Sequence, residues 1–260
     1  MLKLNYYIMN EVVLKLKPEG VWKEFQGIMG VPRPSKREEK MVAYLEKWAK
    51  DHKVEYKKEP CGNIIMSVPA TKGMENRQTI ILQAHMDMVC EKNGDKVHDF
   101  DKDPIEAVLK GEWLHANGTT LGADDGIGVA AALAVITDKD VKHGPLECIF
   151  TVDEETGLTG AEKLDPKDFT GRILLNLDSE DEGEIFIGCA GGMDTIVKVW
   201  YELEPAPELY PLRRKGQRTQ RRSLRRRHQQ EPRQRQQAVN QNLMAGNQRL
   251  RPPHLRHPGR

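Results

Sequence analysis

Thr79-Ile80-Ile81-Leu82-Gln83-Ala84-His85-Met86-Asp87 is the stretch on which the fold of this chain turns. Its apolar run is short and predicts a buried strand over Thr79–Ala84 that ends on an imidazole and a carboxylate. A strand has a period of two, so His85 and Asp87 leave it on one face. That spacing suits one direct metal ligand with a carboxylate close behind it.

Three further acidic motifs follow the same plan. Gly122-Ala123-Asp124-Asp125-Gly126 stands before an Ala-rich run, Gly126–Thr137, that predicts a helix. Asp153-Glu154-Glu155 closes a second apolar run, Leu146–Val152, and Asn176-Leu177-Asp178 closes a third, Ile173–Leu177; both runs read as buried strands. Upstream, Val21, Trp22, Phe25, Ile28 and Met29 repeat at helical spacing. Ser35 and Glu38 form a capping-box pattern ahead of a second helix with an apolar stripe of Met41, Leu45 and Trp48, running to about His52. Residues 54–59 and 63–69 read as strands around a turn at Pro60-Cys61-Gly62. Residues 92–120 are polar and irregular, with a strand expected near Ala107–Leu109, and Ile185–Gly188 and Thr195–Glu202 read as later strands. Strands alternating with helices predict an α/β fold with a mostly parallel sheet flanked by helices. Groups at strand ends then fall where open α/β sheets bind ligands.

Taken singly, each acid reads as solvated surface and His85 as a structural histidine. Taken together, one imidazole and five acids at strand ends or a helix start read as a metal site. The donors are nitrogen and oxygen with no thiolate, which suits Zn²⁺ and also Mn²⁺ or Co²⁺. Two such cations about 3.5–4 Å apart can share a hydroxide and polarise a carbonyl, with a further carboxylate taking the proton from water. Glu154 and Glu155 are adjacent, so they need different roles or an irregular turn. Spacing alone leaves phosphatases and deacetylases open beside peptidases.

Four cysteines, Cys61, Cys90, Cys148 and Cys189, show no paired spacing and read as buried free thiols of a reducing compartment. No run approaches the roughly 18 apolar residues of a membrane span, and Met1–Lys17 holds no clean signal-peptide core, so a cytoplasmic location is expected. The net charge of +1 hides an asymmetry: residues 1–211 carry 25 basic against 38 acidic residues, whereas 212–260 carry 15 against one, so −13 and +14 nearly cancel. Beyond Glu208 the composition turns to nine Gln and fourteen Arg with almost no aromatic or β-branched residues, and such a segment cannot bury a core.

Leu82-Gln83-Ala84-His85-Met86-Asp87-Met88-Val89-Cys90 resembles the aminoacyl-histidine dipeptidases, or cytosolic non-specific dipeptidases, a peptidase D-like branch of the co-catalytic zinc aminoacylase/carboxypeptidase clan. Leu121 to Ala130, Asp153 to Ala161 and Leu174 to Glu182 fit the same branch, and the resemblance covers about residues 12–207. It implies that His85 and Asp178 bind one zinc, Glu155 binds the other and Asp124 bridges them. It also implies Glu154 as general base and Asp87 as the group that orients His85. Unblocked dipeptides, Xaa-His among them, would be the substrates, and the intact family would form homodimers through an inserted lid domain. Other exopeptidases or deacylases of the clan, or a non-catalytic metal-binding fragment, are the alternative readings.

The resemblance divides the chain into residues 1–190 as the N-terminal part of a zinc-binding catalytic domain, 191–208 as the start of the lid, and a tail at 209–260. The family's last zinc ligand, a histidine near its C-terminus, has no clear counterpart here, so impaired activity and failure to dimerise are expected. The tail reads as frameshifted and disordered. Second codon letters for Arg221 to Gln230 (G, G, C, T, G, G, G, A, A, A) agree at all ten places with first letters available to the family's lid stretch Gly-Gly-His-Ser-Gly-Asp-Asp-Ile-Asn-Lys. A basic nucleic-acid arm is the rival, but the segment lacks aromatic platforms for stacking bases; neither a specific nucleic-acid partner nor a membrane is expected. Resequencing the DNA around the Glu208 codon is expected to reveal a slipped frame; an intact gene encoding these arginines in frame would overturn that reading.

Overall fold

The computed structural model describes residues 13–179, 181, 183–189, 197, 198 and 200. The chain divides into two units, Met1–Gly191 and Gly192–Arg260. Only the first holds secondary structure among the described residues, and it alone is considered below. The expected lid start and the expected disordered tail lie outside the described residues, apart from Val197, Lys198 and Trp200.

Two amphipathic helices open the unit, α1 at Glu19–Met29 and α2 at Glu39–His52. Their apolar stripes bury Phe25, Ile28 and Met29 from α1 and Met41, Leu45 and Trp48 from α2. The Trp48 indole N–H donates to the buried Glu24 carboxylate at 2.8 Å and ties the two helices together. Strands β1 (Glu55–Lys58) and β2 (Ile64–Val68) follow around the expected turn and pair antiparallel. Strand β3 (Ile80–His85) extends one residue beyond the expected run, so His85 is the last residue of the strand.

A two-stranded ribbon, β4 (Ala107–Lys110) with β5 (Trp113–Ala116), stands apart from the main sheet. The second strand was not legible in the sequence because its residues are largely solvent-facing and carry no apolar alternation. Gly111, with a φ of +63°, supplies the left-handed backbone its short turn requires. Helix α3 (Ala123–Thr137) is buried almost all round, as its Ala-rich composition allows, and packs between α1 and β3. Strands β6 (Leu146–Thr151) and β7 (Ile173–Asn176) complete a five-stranded sheet of order β1-β2-β6-β3-β7.

The fold is α/β, and its sheet is mixed. β6, β3 and β7 run parallel, whereas β1-β2, joined by a short turn, and β2-β6 are antiparallel. Alternation along the strands separates two clusters. Ile64, Met66, Leu82, Ala84, Cys148 and Phe150 face the three long helices, while Ile65, Ile81 and Ile149 face Leu164 and Phe169 on the other side.

Three expectations change, and a fourth falls largely outside the described residues. The Ile173–Leu177 run forms a strand, but Ile173, Leu174 and Leu175 are about half exposed because β7 is the sheet's edge and pairs only with β3 among the described residues. Ile185–Gly188 is not a strand, and Ile185 and Ile187 are exposed. The expected strand over Thr195–Glu202 falls largely outside the described residues. The cysteines are all free, but only Cys148 is buried; Cys61 and Cys90 are partly exposed and Cys189 is exposed. Among the described residues no helix is long and apolar enough to cross a membrane.

Burial sets the expected response to substitution. Phe150→Ala removes a fully buried ring from the main cluster and should lower unfolding free energy by about 3–5 kcal/mol. Leu174→Ser, at a side chain 51% exposed, should change it by less than about 0.5 kcal/mol. Urea unfolding of the two variants checks the contrast, and equal losses would contradict it.

Candidate metal centre

The parallel strands β3, β6 and β7 end at one edge of the sheet, and each hands its next residues to a loop there. His85, closing β3, is buried with its ring edge-on between two sets of acids. Nδ1 lies 3.3 Å from an Asp87 carboxylate oxygen and 3.1 Å from the Asp87 carbonyl. Nε2 lies 3.0 Å from an Asp124 carboxylate oxygen and 3.8 Å from Glu154 Oε2. Asp87 therefore stands behind the imidazole and Asp124 in front of it. With the Nδ1 proton directed at Asp87, the Nε2 lone pair points toward Asp124.

Asp124 keeps an extended backbone, with φ −81° and ψ 111°, so the regular helix begins beyond it and its carboxylate projects from the helix start toward β3. The neighbouring Asp125 turns inward. It is buried, and its Oδ2 accepts the His85 backbone N–H at 3.1 Å. Its Oδ1 has no hydrogen-bond partner. Burial, partly offset by His85, pushes the Asp125 carboxyl up to about 7. A Cβ at Gly128 would fall 2.2 Å from Asp125 Oδ1, so glycine leaves room for this side chain.

Glu154 and Glu155 do not end a strand. Asp153 takes a left-handed conformation, with φ 53°, and α4 (Glu154–Gly157) is a single helical turn after it. The irregular turn lets two adjacent side chains approach one site. Both backbone N–H groups of the pair donate to Asp87, Glu154 to Oδ1 at 3.0 Å and Glu155 to Oδ2 at 3.2 Å. Asp87 thus fixes the His85 ring and the acidic turn at once, and these bonds hold its carboxyl down at about 2 despite burial.

His85, Asp124 and Glu155 each offer a ligand atom within 4.8 Å of the others. Glu154 sits beside this trio. Asp178, two residues past β7, lies outside it. Its backbone N–H donates to Asn176 Oδ1 at 3.2 Å, and its charge raises the Asp125 carboxyl. Sequence reasoning missed Asp125, although the paired aspartates signalled it, and Arg33, a fully buried guanidinium on the far side of Asp87 and Gly122.

The charges fit a cation. Burial opposes a charged His85, yet its hydrogen bonds to Asp124 and Asp87 raise it to about 11. Burial, then the Asp124 charge, pushes the Glu155 carboxyl up to about 7. Carboxylates gathered this closely, with one forced toward its protonated form, suit a divalent ion, and the imidazole and carboxylate donors suit Zn²⁺, Mn²⁺ or Co²⁺.

His85 and Glu155, at and beyond the ends of parallel strands, and Asp124, at a helix start, thus form a candidate site for a divalent ion on an α/β sheet. Residues 81–207 match the model of Peptidase family M20/M25/M40. The chain is 48% identical over 205 residues to the cytosol non-specific dipeptidase of Escherichia coli (strain K12), covering 78% of this chain and 42% of that protein. Among solved structures it is similar to aminoacylhistidine dipeptidase from Vibrio alginolyticus, with 48% identity, a TM-score of 0.65, and coverage of 66% of this chain and 35% of that one. It is also similar to aminopeptidase PepT from Bacillus cereus, with 31% identity, a TM-score of 0.53, and coverage of 63% and 44%. The chain spans less than half the length of these relatives.

Metal uptake must displace the protons held by the metal-free site. At pH 7, with His85 protonated and Glu155 near half-protonated, binding of one divalent ion should release about one to two protons, and affinity should rise with pH between about 6 and 8. Calorimetric titration with zinc in two buffers of different ionisation enthalpy measures the release; pH-independent uptake without proton release would contradict it.

Proposed function

We propose that this chain carries the first part of a metal-dependent dipeptidase catalytic domain, with His85, Asp124, Glu155 and Asp178 as metal ligands and Glu154 as general base. The observation that carries the reading is the convergence of His85, Asp124 and Glu155 with Glu154 alongside them. The 48% identity to a cytosol non-specific dipeptidase supports dipeptides as substrates and the cytosol as the site of action. We assign zinc as the metal on the nitrogen and oxygen donor set; manganese and cobalt satisfy the same donors.

Bound divalent ions would supply Lewis acidity and lower the pKa of water at the site. The residues supply position and proton transfer. As water oxygen adds to the peptide carbonyl carbon, Glu154 takes its proton. As the C–N bond breaks, Glu154 delivers that proton to the departing amine nitrogen. Asp87 keeps the His85 ring and the Glu154-Glu155 turn in register while this happens.

The test uses the purified chain and the frame-corrected gene product, each as wild type and Glu154→Ala. The chain should take up a divalent ion and hydrolyse unblocked Xaa-His dipeptides weakly, and the frame-corrected product should do so efficiently. Glu154→Ala should lower turnover by about a hundredfold or more while leaving metal bound. Failure of the wild-type chain to bind any divalent ion, or a preference of the frame-corrected product for N-acylated substrates over free dipeptides, would overturn the assignment.

A further inference from the structure

Ser35 and Glu38 have the sequence pattern of a capping box, but they do not cap. Helix α2 starts with no side-chain cap hydrogen bond. Glu38 is buried, and its Oε1 accepts the backbone N–H of Lys36 at 2.8 Å and of Asp153 at 3.0 Å. Glu38 thus reaches into the turn that carries Glu154 and Glu155.

Arg33 does the same from the other end of this segment. It is 2% exposed and the largest fully buried side chain among the described residues. Nη1 donates to the carbonyls of Met86 at 3.1 Å and Asp87 at 3.0 Å, and Nη2 donates to the Gly122 carbonyl. The backbone joins in: the Arg33 carbonyl accepts the Met88 N–H at 3.1 Å, and Pro34 bridges to Met88. A planar fork that spans two loops in this way has no equivalent in a lysine ammonium.

The glycines of the Gly-Ala-Asp-Asp-Gly motif fit around this guanidinium. A Cβ at Gly122 or at Gly126 would each fall 2.5 Å from Arg33 Nη2. Two glycines flanking the Asp124-Asp125 pair therefore make the space through which Arg33 reaches the Gly122 carbonyl.

We propose that Arg33 and Glu38 form one positioning element for the metal site, bracing the loop after β3, the start of α3 and the turn after β6 at the spacing that brings His85, Asp124 and Glu155 together. Neither is a ligand. Each acts through the loop it holds: Arg33 through residues 86–88 and 122, and Glu38 through Asp153, the residue before Glu154. The inference rests on the metal-site reading above and goes beyond it by assigning metal affinity to a segment that never touches the metal.

The test measures divalent-ion affinity of the full chain by titration with Zn²⁺, and the ligand field with Co²⁺ as a spectroscopic probe, beside the unfolding free energy of the metal-free protein. Glu38→Ala should weaken binding by about tenfold to a hundredfold and alter the cobalt spectrum. Glu38→Gln keeps an oxygen that accepts the Asp153 N–H and should restore affinity to within a few-fold of wild type. Arg33→Lys keeps the charge but loses the fork and should behave like Glu38→Ala. Ile65→Ala, in the cluster on the opposite face of the sheet, should reduce stability and leave affinity unchanged. Wild-type binding together with unaltered affinity in both Glu38→Ala and Arg33→Lys would overturn this proposal alone, and an equal loss in Ile65→Ala would reduce the effect to stability and overturn it as well. If Arg33→Lys does not fold, the Glu38 pair decides. Absence of metal uptake by the wild-type chain would overturn the metal reading and this proposal together.

Discussion

The Asp87 carboxylate is the constraint on which the site depends. It is fully buried, and its two oxygens serve a ring and two backbone amides at once. A buried carboxylate left short of partners would carry a large desolvation penalty, so the end of β3 and the turn after β6 are held to one another by the need to satisfy it. Moving the Glu154-Glu155 turn away would strand its oxygens, and rotating His85 away would strip its nearest positive charge. A strand end, a helical turn and an imidazole therefore behave as one unit, although 67 residues separate Asp87 from Glu154 along the chain.

Other buried acids in the unit are satisfied differently, and the difference separates structure from site. Glu24 accepts from the Trp48 indole, Glu59 from Asn63, and Glu147 from the backbone of Thr170 and Gly171. Asp153 accepts from the hydroxyls of Thr156 and Thr159. Each of these accepts from neutral donors of the surrounding fold. Asp124, Asp125, Glu154 and Glu155 instead gather around one imidazole, and burial, with repulsion among the acids, pushes the Asp125 and Glu155 carboxyls up to about 7. Carboxylates crowded in this way suit an external cation.

Much of this was legible in the sequence because the signals were local. The Ile80–Ala84 run, the Ala-rich stretch after Gly126 and the stripe on α2 depend on periodicity and composition within single elements, and they formed as read. What the sequence hid was decided by distant partners. Ser35-x-x-Glu38 is a local helix-start pattern, yet the Asp153 N–H, and not the helix start, takes the Glu38 side chain. Arg33 has no periodic signature, because its role is to satisfy carbonyls that lie 53 to 89 residues away. The exposure of β7 was equally hidden, since an apolar run reveals its strand propensity but not whether a neighbour lies beside it.

The same contrast orders the ligands. His85, Asp124 and Glu155 leave elements whose backbones are held on several sides: β3 and β6 lie inside the sheet, and α3 is buried almost all round. Asp178 leaves β7, which is paired on one side only among the described residues and has its apolar side chains half exposed. Local stability falls toward such an edge, because fewer buried contacts and backbone hydrogen bonds oppose opening there. Packing around β3, β6 and α3 thus places His85, Asp124 and Glu155, whereas Asp178 lies two residues past a strand held on one side only among the described residues.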